Sequence, residues 1–335
     1  MTISRGEGPA GVGAGEVMVG VDIGGTNSVV GIVDEAGSML LQSRFPTQAQ
    51  ESADKFVPRL ALVVAGLRHQ LSPGARVTGM VIASPAANAR NGFVDNPANF
   101  NWGRVDLIGL MRQTFDIPVS IMNDSDAAVL GESHFGIARG MNNVLLLTLG
   151  TGLGAGIMID GKLVQGANGA AGEFGHMTMS SGGRSCACGR SGCVETYVSA
   201  PGVRRTVFEL LAERVEPSAL RSVAFNDLTT DRIYQLALEG DPIAQGAFEV
   251  TGRHLGELVA DIVAAFDPEA VVLSGGLVNA GDLLVAPARR AFEEHVLGRY
   301  KERVKILVST LNDGQAAILG ASWFAREILL DAELP

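Results

Sequence analysis

A chain of 335 residues, 47% of them hydrophobic, is long enough for one large domain or two of ordinary size, each with a buried core. Its 26 basic and 36 acidic residues leave a net charge of −10, and aromatics are only 5%, which argues against a general nucleic-acid surface. No stretch approaches about eighteen consecutive apolar residues, so no membrane span is expected; three cysteines, an odd number, offer no disulfide framework and suit a reducing compartment, the cytoplasm.

The first sixteen residues hold five glycines and no signal-peptide core, and 1–16 is expected to be a flexible tail. Val17 to Ile23 is a β-branched apolar run with the mark of a buried strand. It enters Asp22-Ile23-Gly24-Gly25-Thr26-Asn27 and then a second strand-like run, Val29 to Val33. The glycines either merely close this hairpin or let backbone N–H groups and the Thr26 hydroxyl reach phosphate oxygens. Asp54 to Leu71 carries an apolar stripe at helical spacing, Val77 to Ala83 is a strand, and the asparagine-rich Ser84 to Arg104 is irregular. Val105 to Phe115 reads as a helix, Val119 to Met122 as a short strand ending at Asn123-Asp124, and Asp126 to Phe135 as a helix. Asp124 is either an N-cap or a general base projecting from a strand end.

The strand–glycine–strand pattern then returns: Val144 to Leu149, Gly150-Thr151-Gly152-Leu153-Gly154, and Ala155 to Ile159. A duplication of this kind predicts two similar lobes, each offering a phosphate-binding turn to a shared cleft. The same glycines fit G-x-G-x-x-A, but that dinucleotide fingerprint must open a helix, and the following AGIMIDGKLV is β-like. No Walker-type G-x4-GK[ST] is present, so phosphate would be held by the glycine hairpins and Mg²⁺. Within Glu173 to Glu195 lie all three cysteines, Cys186, Cys188 and Cys193, together with His176. Three thiolates and an imidazole suit a structural zinc ion; unlinked thiols in a mobile loop are the alternative. Helical patterns follow at Tyr197 to Glu213, Asp231 to Leu238, Ile243 to Phe266, Leu283 to Val296 and Gln315 to Leu330. Ala270 to Leu273 and Val304 to Val308 read as strands, the first leading to a third glycine turn at Ser274-Gly275-Gly276.

Six segments carry a family resemblance: DIGGTN at 22–27, NDSDAAVLGE at 123–132, GTGLGAG at 150–156, GEFGH at 172–176, CACGRSGCVE at 186–195 and DPEAVVLSGG at 267–276. From about Val17 to Leu330 the chain resembles the ROK (repressor, open reading frame, kinase) family of sugar kinases. The resemblance implies the actin-like ATPase (ribonuclease H-like) α/β fold, duplicated into two lobes around a central cleft. A small lobe would span 17–122, with the closing helix 315–330 packed back on it, and a large lobe with the zinc loop 123–314. It implies an ATP-dependent hexokinase, most simply a glucokinase, with Asp124 as base for the 6-hydroxyl. Asn99, Asn123, Glu173, His176 and Glu195 would bind the sugar. Asp22, Gly24, Gly25, Thr26, Asn27, Thr151 and Gly152 would surround ATP and its Mg²⁺, and Gly275 and Gly276 the nucleoside. The zinc ligands would be His176, Cys186, Cys188 and Cys193, and the protein a homo-oligomer, a dimer or tetramer.

Two positions depart from the family pattern. Many relatives carry I-G-x-P-G where this chain has Ile82-Ala83-Ser84-Pro85-Ala86, which leaves the hexose open among glucose, N-acetylhexosamines, mannose and fructose. Asp126 stands where relatives often have Asn. Family repressors carry an N-terminal helix-turn-helix, and the residues before the first strand here are too few for one, so a DNA-binding regulator is not expected. A non-catalytic sugar sensor that keeps the cleft is the rival from another class.

Overall fold

The computed structural model describes residues 2–5, 15–97, 100–312 and 314–332; Asn99 lies outside them. In chain order the strands are β1 Thr2–Arg5, β2 Glu16–Ile23, β3 Asn27–Asp34, β4 Met39–Pro46, β5 Arg76–Ser84, β6 Phe93–Asp95, β7 Arg104–Asp106, β8 Val119–Asn123, β9 Val144–Leu149, β10 Leu153–Ile159, β11 Lys162–Leu163, β12 Ala270–Ser274 and β13 Lys305–Val308. The helices are α1 Ala53–Arg68, α2 Leu107–Arg112, α3 Asp124–Phe135, α4 Ala200–Glu213, α5 Thr230–Leu238, α6 Pro242–Phe266, α7 Asp282–His295 and α8 Gln315–Ala332.

The duplication goes far beyond the two glycine hairpins. One sheet runs β1-β4-β3-β2-β5-β8 and the other β11-β10-β9-β12-β13. Leaving out β1, the two orders correspond strand for strand, antiparallel through each hairpin and parallel beyond it. The nearly continuous burial of β2, β5, β9 and β12 follows from helices covering both faces. α1 and α2 cover the outer face of the first sheet, and α4 to α7 that of the second. Between the sheets lies a shared layer, α3 and α8, whose residues join both inner cores: Ala127, Leu130, Ala317 and Ala321 on one side, Ala128, Val129 and Ala316 on the other.

These two helices are themselves a repeat. Residues 123–135, NDSDAAVLGESHF, and 312–324, NDGQAAILGASWF, share Asn, Asp, Ala, Ala, Leu, Gly, Ser and Phe at matching positions. The small residues let the backbones touch: a Cβ on Gly131 would overlap the Ala316 carbonyl oxygen, and one on Gly320 that of Ala127. One turn further along, the equivalent rings of His134 and Trp323 stack with centroids 3.8 Å apart and planes 14° apart. Gly320→Ala is therefore expected to lower stability by about 1–3 kcal/mol in chemical denaturation, the range for overpacking a tight contact; an unchanged midpoint would mean that the helices are not pressed together here.

Five expectations are corrected. Thr2–Arg5 is not tail but an edge strand, paired antiparallel with the exposed side of β4. β4 is an addition to the expected strands, although Leu41, Ser43 and Phe45 are buried in strict alternation with more exposed neighbours. The irregular 84–104 stretch contains β6, which pairs with β7. The helix expected from Val105 begins only at Leu107, because the Asp106 side chain caps it by accepting from the Gly109 N–H. Tyr197 likewise precedes α4, which starts after Ser199 accepts from the Gly202 N–H.

Candidate active site

The site is assembled from the carboxyl ends of parallel strands, where open α/β sheets bind ligands. Asp22 near the end of β2 is in register with Ala83, Ser84 at the end of β5 with Asn123, and Thr148 of β9 with Ser274. The first glycine turn is a tight one: the Gly24 N–H donates to the Asn27 carbonyl at 3.1 Å. Thr47, fully buried, braces it by donating its hydroxyl to the Gly24 carbonyl at 2.6 Å and its N–H to the Thr26 carbonyl at 3.0 Å. Nothing local in the sequence marks Thr47; only the β3–β4 pairing brings it there. Gly25 and Thr26 remain exposed, with backbone available to a ligand.

In the second turn the Gly150 N–H donates to the Gly152 carbonyl at 3.0 Å, and Thr151 is exposed. Glu195, expected to face a sugar, has one carboxylate oxygen accepting the Leu153 N–H at 3.0 Å. A Cβ on Gly152 would overlap that oxygen, so a larger residue there would push the Glu195 carboxylate away. Glu195 therefore couples the cysteine loop to this hairpin. Gly275, at φ +93°, packs against the backbone of Leu149, so the third glycine turn adjoins the second.

Asp124 opens α3 directly after β8, and the helix is capped by its neighbour: the Asn123 side-chain oxygen accepts from the Ser125 and Asp126 N–H groups. The Asp124 carboxylate is thus not needed as a cap, although it also accepts the Ser125 N–H at 2.8 Å. It keeps some exposure, yet the surrounding protein holds its pKa above the usual carboxylate range. Burial is the main cause; hydrogen bonds from Ser125 oppose it, and the Glu173 charge adds to it. Asp126, 5% exposed, is pushed up to about 7, first by burial and then by the charges of Asp124 and Glu173.

Glu173 in turn lies 3.9 Å from His176 Nε2, while His176 Nδ1 is 3.7 Å from Cys186 Sγ. Cys188 Sγ and Cys193 Sγ are also 3.7 Å apart, too far for a disulfide. The four donor atoms lie within 4.8 Å of one another. Zinc–sulfur bonds of about 2.3 Å in a tetrahedron give edges of about 3.8 Å, so the donor set fits a zinc ion. Arg184 fastens the same loop to α4, donating to Glu209, to the Thr206 hydroxyl and to the Thr196 carbonyl. Ala86 has a left-handed backbone, φ +55°, a conformation that favours glycine. No helix among the described residues is long and apolar enough to cross a membrane.

The sequence model of the ROK family matches residues 18–328. A Streptomyces coelicolor glucokinase is 34% identical over 320 residues, covering 92% of this chain and 97% of the relative. A xylose repressor from Caldicellulosiruptor bescii is 29% identical, over 90% of this chain and 76% of the repressor. The crystal structure of a ROK family glucokinase from Streptomyces griseus, in complex with glucose and AMPPNP, superposes with a TM-score of 0.81 at 32% identity, covering 93% of this chain and 99% of that one.

Proposed function

We infer that this chain, which belongs to the ROK family, transfers the γ-phosphoryl group of ATP to the 6-hydroxyl of a hexose, glucose. The observation that carries the reading is an Asp124 carboxyl at the start of α3, near enough to feel the charge of Glu173, which itself lies 3.9 Å from His176 of the metal-type cluster. Likeness to glucokinases along nearly the whole chain supports it.

In this reading Asp124 accepts the 6-hydroxyl proton as that oxygen attacks the γ-phosphorus, and its raised pKa makes it a stronger base than a free aspartate. Asn123, through the amide nitrogen left free by capping, and Glu173, His176 and Asn99 hold the other hydroxyls; the second Glu195 oxygen joins them. Backbone groups of Gly24, Gly25, Thr26, Asn27, Thr151 and Gly152 take the phosphates, and Gly275-Gly276 borders the nucleoside. Asp22 and the triphosphate would hold Mg²⁺, which supplies neutralisation of the phosphate charge. His176, Cys186, Cys188 and Cys193 would hold a structural zinc ion, which would steady the His176 imidazole while Nε2, 3.9 Å from Glu173, stays available to the sugar. Closure of the lobes excludes water from the transfer.

A coupled ADP-release assay across glucose, mannose, fructose and the N-acetylhexosamines tests this. Glucose is expected to give the highest kcat/KM. Preference for another hexose would move the substrate within the family, and hexose binding without ADP release would favour the sugar-sensing role suggested by the repressor relative.

A further inference from the structure

We propose that the 47–51 turn is the common support of the phosphate side and the sugar side of the first lobe, with Thr47 and Arg59 as positioning residues. The support rests on its own hydrogen bonds. Which ligand each side takes rests on the reading above, phosphate at Gly24 to Asn27 and hexose beside Asn99.

β4 ends at Pro46, in register with Asn27. The next residue, Thr47, is wholly buried and faces the first glycine turn: its N–H donates to the Thr26 carbonyl at 3.0 Å and its hydroxyl to the Gly24 carbonyl at 2.6 Å. A hydroxyl has one proton, so the buried Ser28 hydroxyl, 2.8 Å away, donates to Thr47 in turn. The chain then reverses. Gln48 takes a left-handed backbone, φ +52°, and its carbonyl accepts the Glu51 N–H at 2.9 Å. The later carbonyls of this turn receive the segment that follows Asn99. Ala49 accepts the Asn101 N–H at 2.8 Å, Gln50 the Asn101 side-chain amide at 3.3 Å, and Glu51 the Trp102 indole N–H at 3.0 Å.

One side chain fastens the turn to α1. Arg59 donates to the Thr47 carbonyl at 2.6 Å and to the Glu51 carboxylate at 2.8 Å, the first and last residues of the turn. Its Nε is buried and has no partner among the described residues, so the guanidinium is committed to this turn. The rings of Phe45 in β4, Phe56 in α1 and Trp102 pack in succession, with centroids 5.7 and 5.4 Å apart, and join the same three segments through apolar contact. Removing the Thr47 hydroxyl leaves the part-buried Gly24 carbonyl without its donor and frees the glycine turn, while the bonds to Asn101 and Trp102 remain. Removing Arg59 frees the whole turn from α1, and both sides lose their support.

The full-length protein, as wild type, Thr47→Val, Thr47→Ser and Arg59→Met, is assayed for KM toward ATP and toward its preferred hexose. Hydrogen–deuterium exchange of segments 24–28, 100–103 and, in the second sheet, 270–274 is read on the same proteins without ligand. Thr47→Val is expected to raise ATP KM about tenfold and leave hexose KM within about twofold. Thr47→Ser, which keeps the hydroxyl, should restore both. Arg59→Met is expected to raise both KM values at least about fivefold. Exchange should speed in 24–28 for Thr47→Val, in 24–28 and 100–103 for Arg59→Met, and in 270–274 for neither. An unaltered ATP KM or equal rises in both KM values in Thr47→Val would overturn the proposal, as would no rescue by Thr47→Ser or a rise for one substrate alone in Arg59→Met. Should Arg59→Met fail to fold, Arg59→Lys decides the same question, because one ammonium cannot reproduce the fork that reaches both acceptors. Should the wild type phosphorylate no hexose, the glucokinase reading falls and exchange alone decides the support: faster exchange confined to 24–28 and 100–103 in Arg59→Met upholds it, and unchanged exchange overturns it.

Discussion

Asp124→Asn is expected to lower kcat for hexose phosphorylation by about 10²-fold or more, with hexose KM changed by no more than about threefold. The asparagine keeps the shape and can still accept the Ser125 N–H, so the geometry at the start of α3 survives. It cannot take a proton. A hundredfold loss corresponds to about 2.7 kcal/mol of transition-state stabilisation, the lower end for general-base catalysis. Two companion readings separate this from a structural defect. A buried carboxyl with a raised pKa costs stability once it ionises, because the folded state holds a proton that the unfolded state has released. Stability at neutral pH should therefore rise in the variant rather than fall. In the wild type, kcat/KM should decline as pH drops through the raised pKa of Asp124, and the residual activity of the variant should lack that decline. A variant with kcat near wild type would remove Asp124 from the chemistry.

Stripping the metal, or replacing Cys193 with Ser, is expected to raise hexose KM at least about tenfold and to make the 176–195 loop protease-sensitive. The loop buries few large groups: Cys193 is fully covered and Cys186 nearly so, while Cys188 is exposed. Arg184 holds one end to α4, but His176 is oriented chiefly by what its Nδ1 meets. Structural zinc sites supply folding free energy directly, so the loop and the embedded imidazole should loosen together. The effect extends to the phosphate side, because Glu195 leaves the same loop to accept the Leu153 N–H of the second glycine turn. ATP KM should rise as well, though less than that of the hexose. Metal analysis should find about one zinc per chain, retained at neutral pH and lost on acidification as protons compete for the thiolates and imidazole. Metal-free protein with unaltered hexose affinity would refute the role.

The two glycine hairpins, the three-cysteine loop and the strand ending at Asn123-Asp124 are legible in the sequence because each depends on local chemistry: glycine where backbone approaches closely, thiols at metal spacing, and apolar runs that stop at a polar pair. The 123–135 and 312–324 repeat is also visible in the sequence, in identical residues at matching positions. β4 carries a weaker sign in the sequence, Leu41 and Phe45 with polar Gln42 and Arg44 between them. Thr47 has no such signal, nor does the carboxylate of Glu195 bonded to a backbone amide 42 residues away.

What the residues settle alone is a set of short-range choices: the long apolar runs that form buried strands, the polar and glycine turns that end them, and the donor atoms a loop offers to a metal. These follow from steric and hydrogen-bonding preferences within a few neighbours. Only the tertiary structure decides that α3 and α8 form one layer between two sheets, with glycines meeting carbonyls across it. Only it brings Asp124, Asp126 and Glu173 together, where burial and neighbouring charges raise the pKa of both aspartates. Desolvation and charge–charge repulsion depend on everything that surrounds a group, and that is known only once distant segments have been brought together.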